Sequence, residues 1–280
     1  MVCAPVTYLF VPATRPERFA KAFAAGADAV IADLEDAVDP QDKTAARQRL
    51  DEVLAGGQHR LWLRINAVGT QWFSQDLALA QKHRTALAGV VLSKTESAAD
   101  LQALDCELPV LGLIESARGL LALGDICHHP RITRLAFGAV DFSVDLGCED
   151  GWDMLLPARM QLVTHCAAAR LPPPVDGVTL ELQRSAIAQR DAARAARLGF
   201  GAKLCIHPSQ LEPVMRGFAP SPDQILWASG VVAMAQQAGS GARRLNGQMV
   251  DRPVVERARR ILERRALLPG DRDVATSSLT

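Results

Sequence analysis

Three charged side chains stand where charge is costly. Arg64 lies within the apolar run LWLRINA (61–67), Glu115 near the end of LPVLGLIES (108–116) and Asp141 in ITRLAFGAVDF (132–142). An ionised group in such a run is expensive unless it is paired or binds something, so these three are candidates for chemistry. Two facing carboxylates either share a proton or hold a cation. Oxygen-only ligands with vacant positions favour magnesium, with waters and substrate oxygens completing the shell. Arg64 adds a planar fork matched to a carboxylate. Together they could grip a 2-oxo acid and stabilise negative charge growing on its carbonyl oxygen. That chemistry is carbon–carbon bond making or breaking beside an oxo acid. The same acids could instead form a glycosidase pair. Aromatic residues are only 5% of the chain, which makes a sugar site less attractive.

The elements that must position these groups are short apolar runs: 6–13, 28–38, 61–67, 87–94, 108–116, 132–142, 172–180 and 202–208. Near-continuous apolar runs suit strands buried on both faces, as in a parallel sheet. Helical stretches alternate with them at 15–26, 42–54, 97–105 and 180–199. The last carries apolar Leu180, Leu182, Ile187, Ala193 and Leu198 and stops at Gly199. Eightfold strand–helix alternation predicts a (β/α)8 TIM barrel, although an open doubly wound sheet would show the same pattern. The strand tips carry Arg15, Glu35, Asp36, Arg64, Lys94, Glu115, Asp141, Asp176 and His207. In a barrel those tips converge on the face where active sites sit. Lys94 and Asp176 could equally be exposed strand-end charges, and His207 before Pro208 suits a turn or a supporting role. Glu35 and Asp36 are adjacent, so on an extended chain only one reaches the mouth. The pair is placed around the site as support.

The composition sets the surrounding bounds. The 280 residues carry 31 Lys+Arg against 31 Asp+Glu, and that balance argues against nucleic-acid or acidic-membrane partners. Hydrophobic residues at 49% and charged residues at 22% permit a large core. No apolar run approaches the ~20 residues that span a bilayer. The amino terminus lacks the charged n-region of a signal peptide, so a cytoplasmic protein is expected. The six cysteines are scattered without a CxxC pair, and phosphate-loop, GxGxxG, GxSxG and HExxH motifs are missing. The expected organisation is a barrel over 1–215 and a C-terminal helical extension and lid over 216–280. In that tail 222–238 reads as a helix and Asn246-Gly247 as a tight turn. Asp251 reads as the N-cap of a helix reaching about Arg265, with Pro253 near its start.

YLFVPATRPERFAKA, ADAVIADLEDAV, LWLRINAVGT, LPVLGLIESARGL and RLAFGAVDFSVDLG occur in that order. Together they resemble the citrate lyase β-subunit-like family, part of a superfamily of malyl-, citramalyl- and citryl-CoA lyases and 2-oxo-acid aldolases. The likeness runs from about Tyr8 to Ile261. It implies a (β/α)8 barrel, usually a homotrimer or a multiple of one, with Mg2+ at the strand ends. Glu115 and Asp141 fall on metal-ligand positions, and Arg64, together with Glu115, on substrate-binding ones. Phe10, Arg15 and Lys21 match positions that contact coenzyme A in relatives resembling malyl-CoA lyase. Their plain alternatives are a core aromatic, a loop charge and a solvated helix face. LNGQMVDRP resembles the lid of the acyl-CoA lyases, in which the residue matching Asp251 is an acid/base in the neighbouring subunit's site; the N-cap role is compatible. The implied activity is magnesium-dependent cleavage or formation of a 3-hydroxyacyl-CoA, with coenzyme A as part of the substrate. Alternatives are an aldolase on free hydroxy-oxo acids and a citrate lyase β subunit acting on an acyl-carrier protein.

Overall fold

The computed structural model describes residues 4–57, 59–236, 243–245 and 248–266. Eight parallel strands close into a barrel in sequence order: β1 (Thr7–Pro12), β2 (Ala29–Asp33), β3 (Leu61–Ile65), β4 (Leu87–Leu92), β5 (Val110–Ile114), β6 (Ile132–Phe137), β7 (Val175–Asp176) and β8 (Ala202–Cys205). Pairing of Thr7 with Lys203 joins β8 back to β1, so the barrel closes and the open-sheet alternative falls away. The helices that follow the strands are α1 (Phe19–Ala24), α2 (Lys43–Ala55), α3 (Phe73–Lys82), α4 (Ala98–Gln102), α5 (Ala117–Leu121), α6 (Leu123–His128), α7 (Ala139–Leu146), α8 (Leu156–Ala168), α9 (Ser185–Leu198) and α10 (Leu211–Phe218).

Alternation along each strand sorts the side chains. Tyr8, Ile31, Val91, Leu111, Leu113, Ala136, Val175, Ala202 and Leu204 form one buried cluster, with Phe10 and Trp62 packed against it. These residues share a parity, and with a period of two the next residues toward the strand tips point the same way. Asp33, Arg64, Ser93 and Glu115 therefore continue the inward rows of β2, β3, β4 and β5. Outward residues meet the helices. On α9 the buried face is Ala188, Ala192 and Ala195, small side chains three and four apart that let the helix lie close. The helix ends at Gly199 with φ +115, a left-handed cap.

Several elements are shorter than the sequence suggests. Helix α9 begins at Ser185, not Leu180, because the Glu181 carboxylate accepts hydrogen bonds from the Gln183 and Arg184 N–H groups and holds a local turn. Leu180 and Leu182 are accordingly exposed. The seventh strand shrinks to two residues, since Pro172, Pro173 and Pro174 have no N–H for a ladder. Strand β6 stops at Phe137, and Asp141 sits in the first turn of α7 rather than on a strand. The spacing of buried Ala139, Phe142 and Ser143 is helical, a pattern hidden inside an apolar run.

The chain divides into two compact units, 4–217 and the residues from Phe218 onward. The second unit contains α11 (Pro222–Gln236), an antiparallel pair β9 (Arg243–Leu245) and β10 (Gln248–Val250), and α12 (Arg252–Ala266). Its core is Ala228, Val231, Val250, Ala258 and Ile261. Asn246-Gly247, between the paired strands, lies outside the described residues, as does Cys3. Among the described residues no helix is long and apolar enough to cross a membrane.

Candidate active site

Arg64 is the hub of the barrel mouth. Its side chain is 7% exposed, and every nitrogen is engaged. Nε donates to Ser93 Oγ at 3.0 Å and Nη1 to Asp33 Oδ2 at 3.3 Å. Nη2 meets Asp36 Oδ2 at 2.9 Å, Glu115 Oε1 at 3.2 Å and the Glu35 carboxylate. The Phe10 ring lies under the guanidinium, 5.4 Å from its carbon. Burial by itself would lower the Arg64 pKa, but Asp33, Glu115, Glu35 and Asp36 outweigh it and hold the group protonated.

Glu35 and Asp36 both reach Arg64, against the alternation argument. The strand has already ended: Asp33 Oδ1 accepts from the Glu35 N–H at 2.8 Å and bends the chain. Beneath that bend the buried Lys43 ammonium donates to the carbonyls of Leu34 and Glu35 and to Asn66 Oδ1. Burial pushes the Lys43 pKa below the usual lysine value.

Glu115 follows β5 directly. Its Oε2 accepts from the Lys94 N–H at 3.2 Å. Across from it lies Gly138, where a Cβ would stand only 2.3 Å from Glu115 Cγ, so no larger residue leaves this carboxylate its place. Burial pushes the Glu115 pKa up to about 8, against the lowering charge of Arg64, and Glu35 and Asp141 add to the rise. Glu35 is likewise raised, to about 7, by burial and by Asp36, against Arg64. Asp36 moves the other way: burial opposes ionisation, but the hydrogen bond with Glu35 and the charges of Arg64 and Lys94 prevail. Asp141 is half-buried and makes no hydrogen bond or ion pair among the described residues.

Four carboxylates (Asp33, Glu35, Asp36 and Glu115) thus gather around two cations in direct contact, Arg64 and Lys94, with the Lys43 ammonium behind them and Asp141 a fifth acid acting on Glu115. An acidic excess at a buried site calls for a further positive charge. Glu115, raised chiefly by burial, and Asp141, with no hydrogen bond or ion pair among the described residues, are hard oxygen donors suited to magnesium. Among the described residues no three His, Cys, Asp or Glu side chains converge as a complete cage. A cation held by these two would take its remaining ligands from water and substrate.

The other residues named from the sequence fall elsewhere. Arg15 is exposed and paired with Glu17 at 2.7 Å, and Lys21 is exposed on α1; no hydrogen bond or ion pair joins either to the Arg64 cluster among the described residues. Asp176 is no exposed strand-end charge. It is wholly buried on the outward parity of β7, bonded to Arg159 Nε at 2.8 Å and Lys203 Nζ at 3.0 Å. His207 accepts from the Ser209 N–H and caps a short turn, as its place before Pro208 suggests. Asp251 belongs to the second unit and caps α12, its Oδ1 accepting from the Val254 N–H at 3.2 Å. Lys94 is only 43% exposed, its Nζ 3.3 Å from Glu35 Oε1, and its backbone takes φ +48. Asp33, Ser93 and Gly138 escape the sequence reading. For Asp33 a signal existed, since alternation from Ile31 puts it on the same inward face.

Known proteins show the same arrangement of chain. Residues 7–208 match the HpcH/HpaI aldolase/citrate lyase family. A citrate lyase subunit beta-like protein of Mycobacterium tuberculosis is 39% identical over 92% of this chain and 94% of its own. A (3S)-malyl-CoA thioesterase of Cereibacter sphaeroides is 32% identical over 91% and 92%. The crystal structure of protein CitE from Mycobacterium tuberculosis, in complex with magnesium, acetoacetate and coenzyme A, superposes with a TM-score of 0.85 at 35% identity, covering 95% of this chain and 100% of that one. A shared barrel and a likeness over nearly the whole length place the chain in the HpcH/HpaI aldolase/citrate lyase family, as an oxo-acid lyase/aldolase of the citrate lyase β-like kind.

Proposed function

We propose that the chain is a magnesium-dependent carbon–carbon lyase that cleaves or forms a 3-hydroxyacyl-CoA such as citryl-, malyl- or citramalyl-CoA. The products of cleavage are an acyl-CoA and a 2-oxo acid. The observation that carries this reading is the acidic excess at the barrel mouth: Glu115 is buried against Arg64, and Asp141, whose charge acts on Glu115, has no hydrogen bond or ion pair among the described residues. The magnesium, acetoacetate and coenzyme A bound to the CitE relative support it. Glu115 and Asp141 would hold the magnesium ion, which supplies Lewis-acid stabilisation of charge on the oxo-acid carbonyl oxygen.

Arg64 would hold the substrate carboxylate. Its fork is engaged by protein acids, so the substrate takes the place of the most exposed of them, Asp36, whose side chain is 53% open. Phe10, below Arg64, and the exposed cations Arg15 and Lys21 beyond β1 would face the coenzyme A portion, the cations meeting its phosphates. In cleavage the hydroxyl loses its proton and the carbon–carbon bond breaks, leaving the oxo-acid carbonyl. The electron pair passes to the thioester α-carbon, which then takes up a proton. Asp251 of an adjacent subunit would exchange one of those protons. That role requires a homo-oligomer, a trimer by family likeness.

The thioesterase relative favours a second reading, hydrolysis of the thioester. Incubation of malyl-, citramalyl- and citryl-CoA with enzyme and magnesium separates the two. Release of oxo acid without free thiol is expected. Free coenzyme A thiol together with the hydroxy acid establishes hydrolysis instead, and turnover of none of the three contradicts the proposal.

A further inference from the structure

Lys94 occupies the tip of β4, between the strand that carries Arg64 and the one that leads to Glu115. Its backbone sits at φ +48, the left-handed region that a residue with a Cβ adopts at a cost. The surroundings enforce that conformation. Ser93 Oγ is bonded to Arg64, the Lys94 N–H to Glu115 and the Thr95 N–H to the Leu113 carbonyl. The Thr95 carbonyl oxygen fits against α5 only because residue 119 is glycine, where a Cβ would come within 2.6 Å of it. The turn thus fixes where the lysine side chain starts, and its ammonium ends 3.3 Å from Glu35 Oε1.

The two cations of the mouth differ in what they have left to offer. Arg64 is buried and all its nitrogens are engaged by protein groups. Lys94 has three N–H donors, one close acidic partner among the described residues, Glu35, and an open side. An anionic group entering the mouth therefore meets an ammonium with spare donors one strand away from Arg64. Charge-assisted bonds of this kind discriminate strongly between ligands that have the anion and those that lack it.

Building on the lyase reading above, we propose that Lys94 is a specificity-determining residue. Its ammonium receives a second carboxylate on the oxo-acid part of the substrate, so dicarboxylic 2-oxo acids are preferred over monocarboxylic ones. Calorimetric titration of fresh oxaloacetate and of pyruvate into magnesium-supplemented protein tests this, in the wild type and in Lys94→Met, Lys94→Gly and Lys94→Arg. The wild type should bind oxaloacetate more tightly than pyruvate. Lys94→Met should lose about tenfold or more of the oxaloacetate affinity, as expected for one charged hydrogen bond, and keep its pyruvate affinity. Lys94→Gly, which relaxes the backbone, should behave alike and carries the test if the Met variant does not fold. Lys94→Arg should restore the preference. Equal binding of the two acids by the wild type overturns the assignment. So does an unchanged preference in the Met and Gly variants, or a parallel loss of both acids. Failure of the wild type to bind either acid overturns the lyase reading itself.

Discussion

At the scale of single residues, the mouth of the barrel is a set of acids held against their own preference. Glu115 and Glu35 sit at about 8 and about 7, both chiefly because burial disfavours the charge. Their protons are therefore bound more tightly in the folded than in the unfolded chain. The stability they confer is complete below about pH 4.5 and is lost as pH rises through about 7 and 8. In metal-free protein, thermal melts across that range should show Tm falling from this source. In the proposed site magnesium would have to displace the Glu115 proton, so its stabilising effect should grow over the same range. A magnesium effect independent of pH would contradict the assignment of Glu115. Asp141→Ala should abolish magnesium-dependent turnover while leaving the far-ultraviolet circular dichroism and Tm close to wild type, because no described partner is left unpaired. Retained activity without metal would end the account. Arg64, Glu115 and Asp141 stand out in the sequence because each is a charge in an apolar run. Lys94 was legible only as a strand-tip charge that could equally be exposed, because nothing in a lysine's chemistry announces its left-handed backbone.

At the scale of elements, positions are set by small residues and by buried pairs behind the strands. Gly138→Ala would push a methyl group into the space of Glu115 Cγ. The variant should bind magnesium at least about tenfold more weakly by calorimetry, as for a displaced ligand carboxylate, while still unfolding cooperatively. Wild-type affinity would show that Glu115 does not need its present position. Outside the barrel wall, Asp176 holds Arg159 and Lys203, and Arg159 stacks on Phe137 and Trp152. Burial opposes the Asp176 charge, but Lys203 and Arg159 outweigh it and hold its pKa below the ordinary value. Its contribution is thus present above about pH 3.8 and lost as pH falls further. Asp176→Asn should cost about 3–5 kcal/mol in urea unfolding, the usual penalty for stranding buried charges. The eight strands were legible as apolar runs, but their ends were not. Asp33 and Glu181 end or delay elements through local hydrogen bonds, and Gly138 leaves room for Glu115 by a close approach, none of which hydropathy registers.

At the scale of the whole molecule, alternation of strands and helices is common to open sheets and barrels. Closure rests on the β1–β8 pairing, a contact between chain segments about two hundred residues apart. Asp251 shows the same limit of a one-dimensional reading. Its N-cap bond was legible from the following Pro253, whereas a part in a neighbour's site depends on assembly. Co-expression of Asp251→Asn and Asp141→Ala chains tests that part, since each mixed assembly would contain sites with both groups intact. Activity should reappear in the mixture although each variant alone is inactive, and sedimentation should show an oligomer. A mixture as inactive as its components would place Asp251 outside catalysis in trans. The proposed activity depends on a divalent cation at the mouth, and manganese, an oxygen-seeking substitute for magnesium, would report it by anomalous scattering. Crystals grown with manganese should give one dominant anomalous peak within coordination distance of both Glu115 and Asp141, lost in Asp141→Ala. A peak elsewhere, or none at those two carboxylates, would contradict the account.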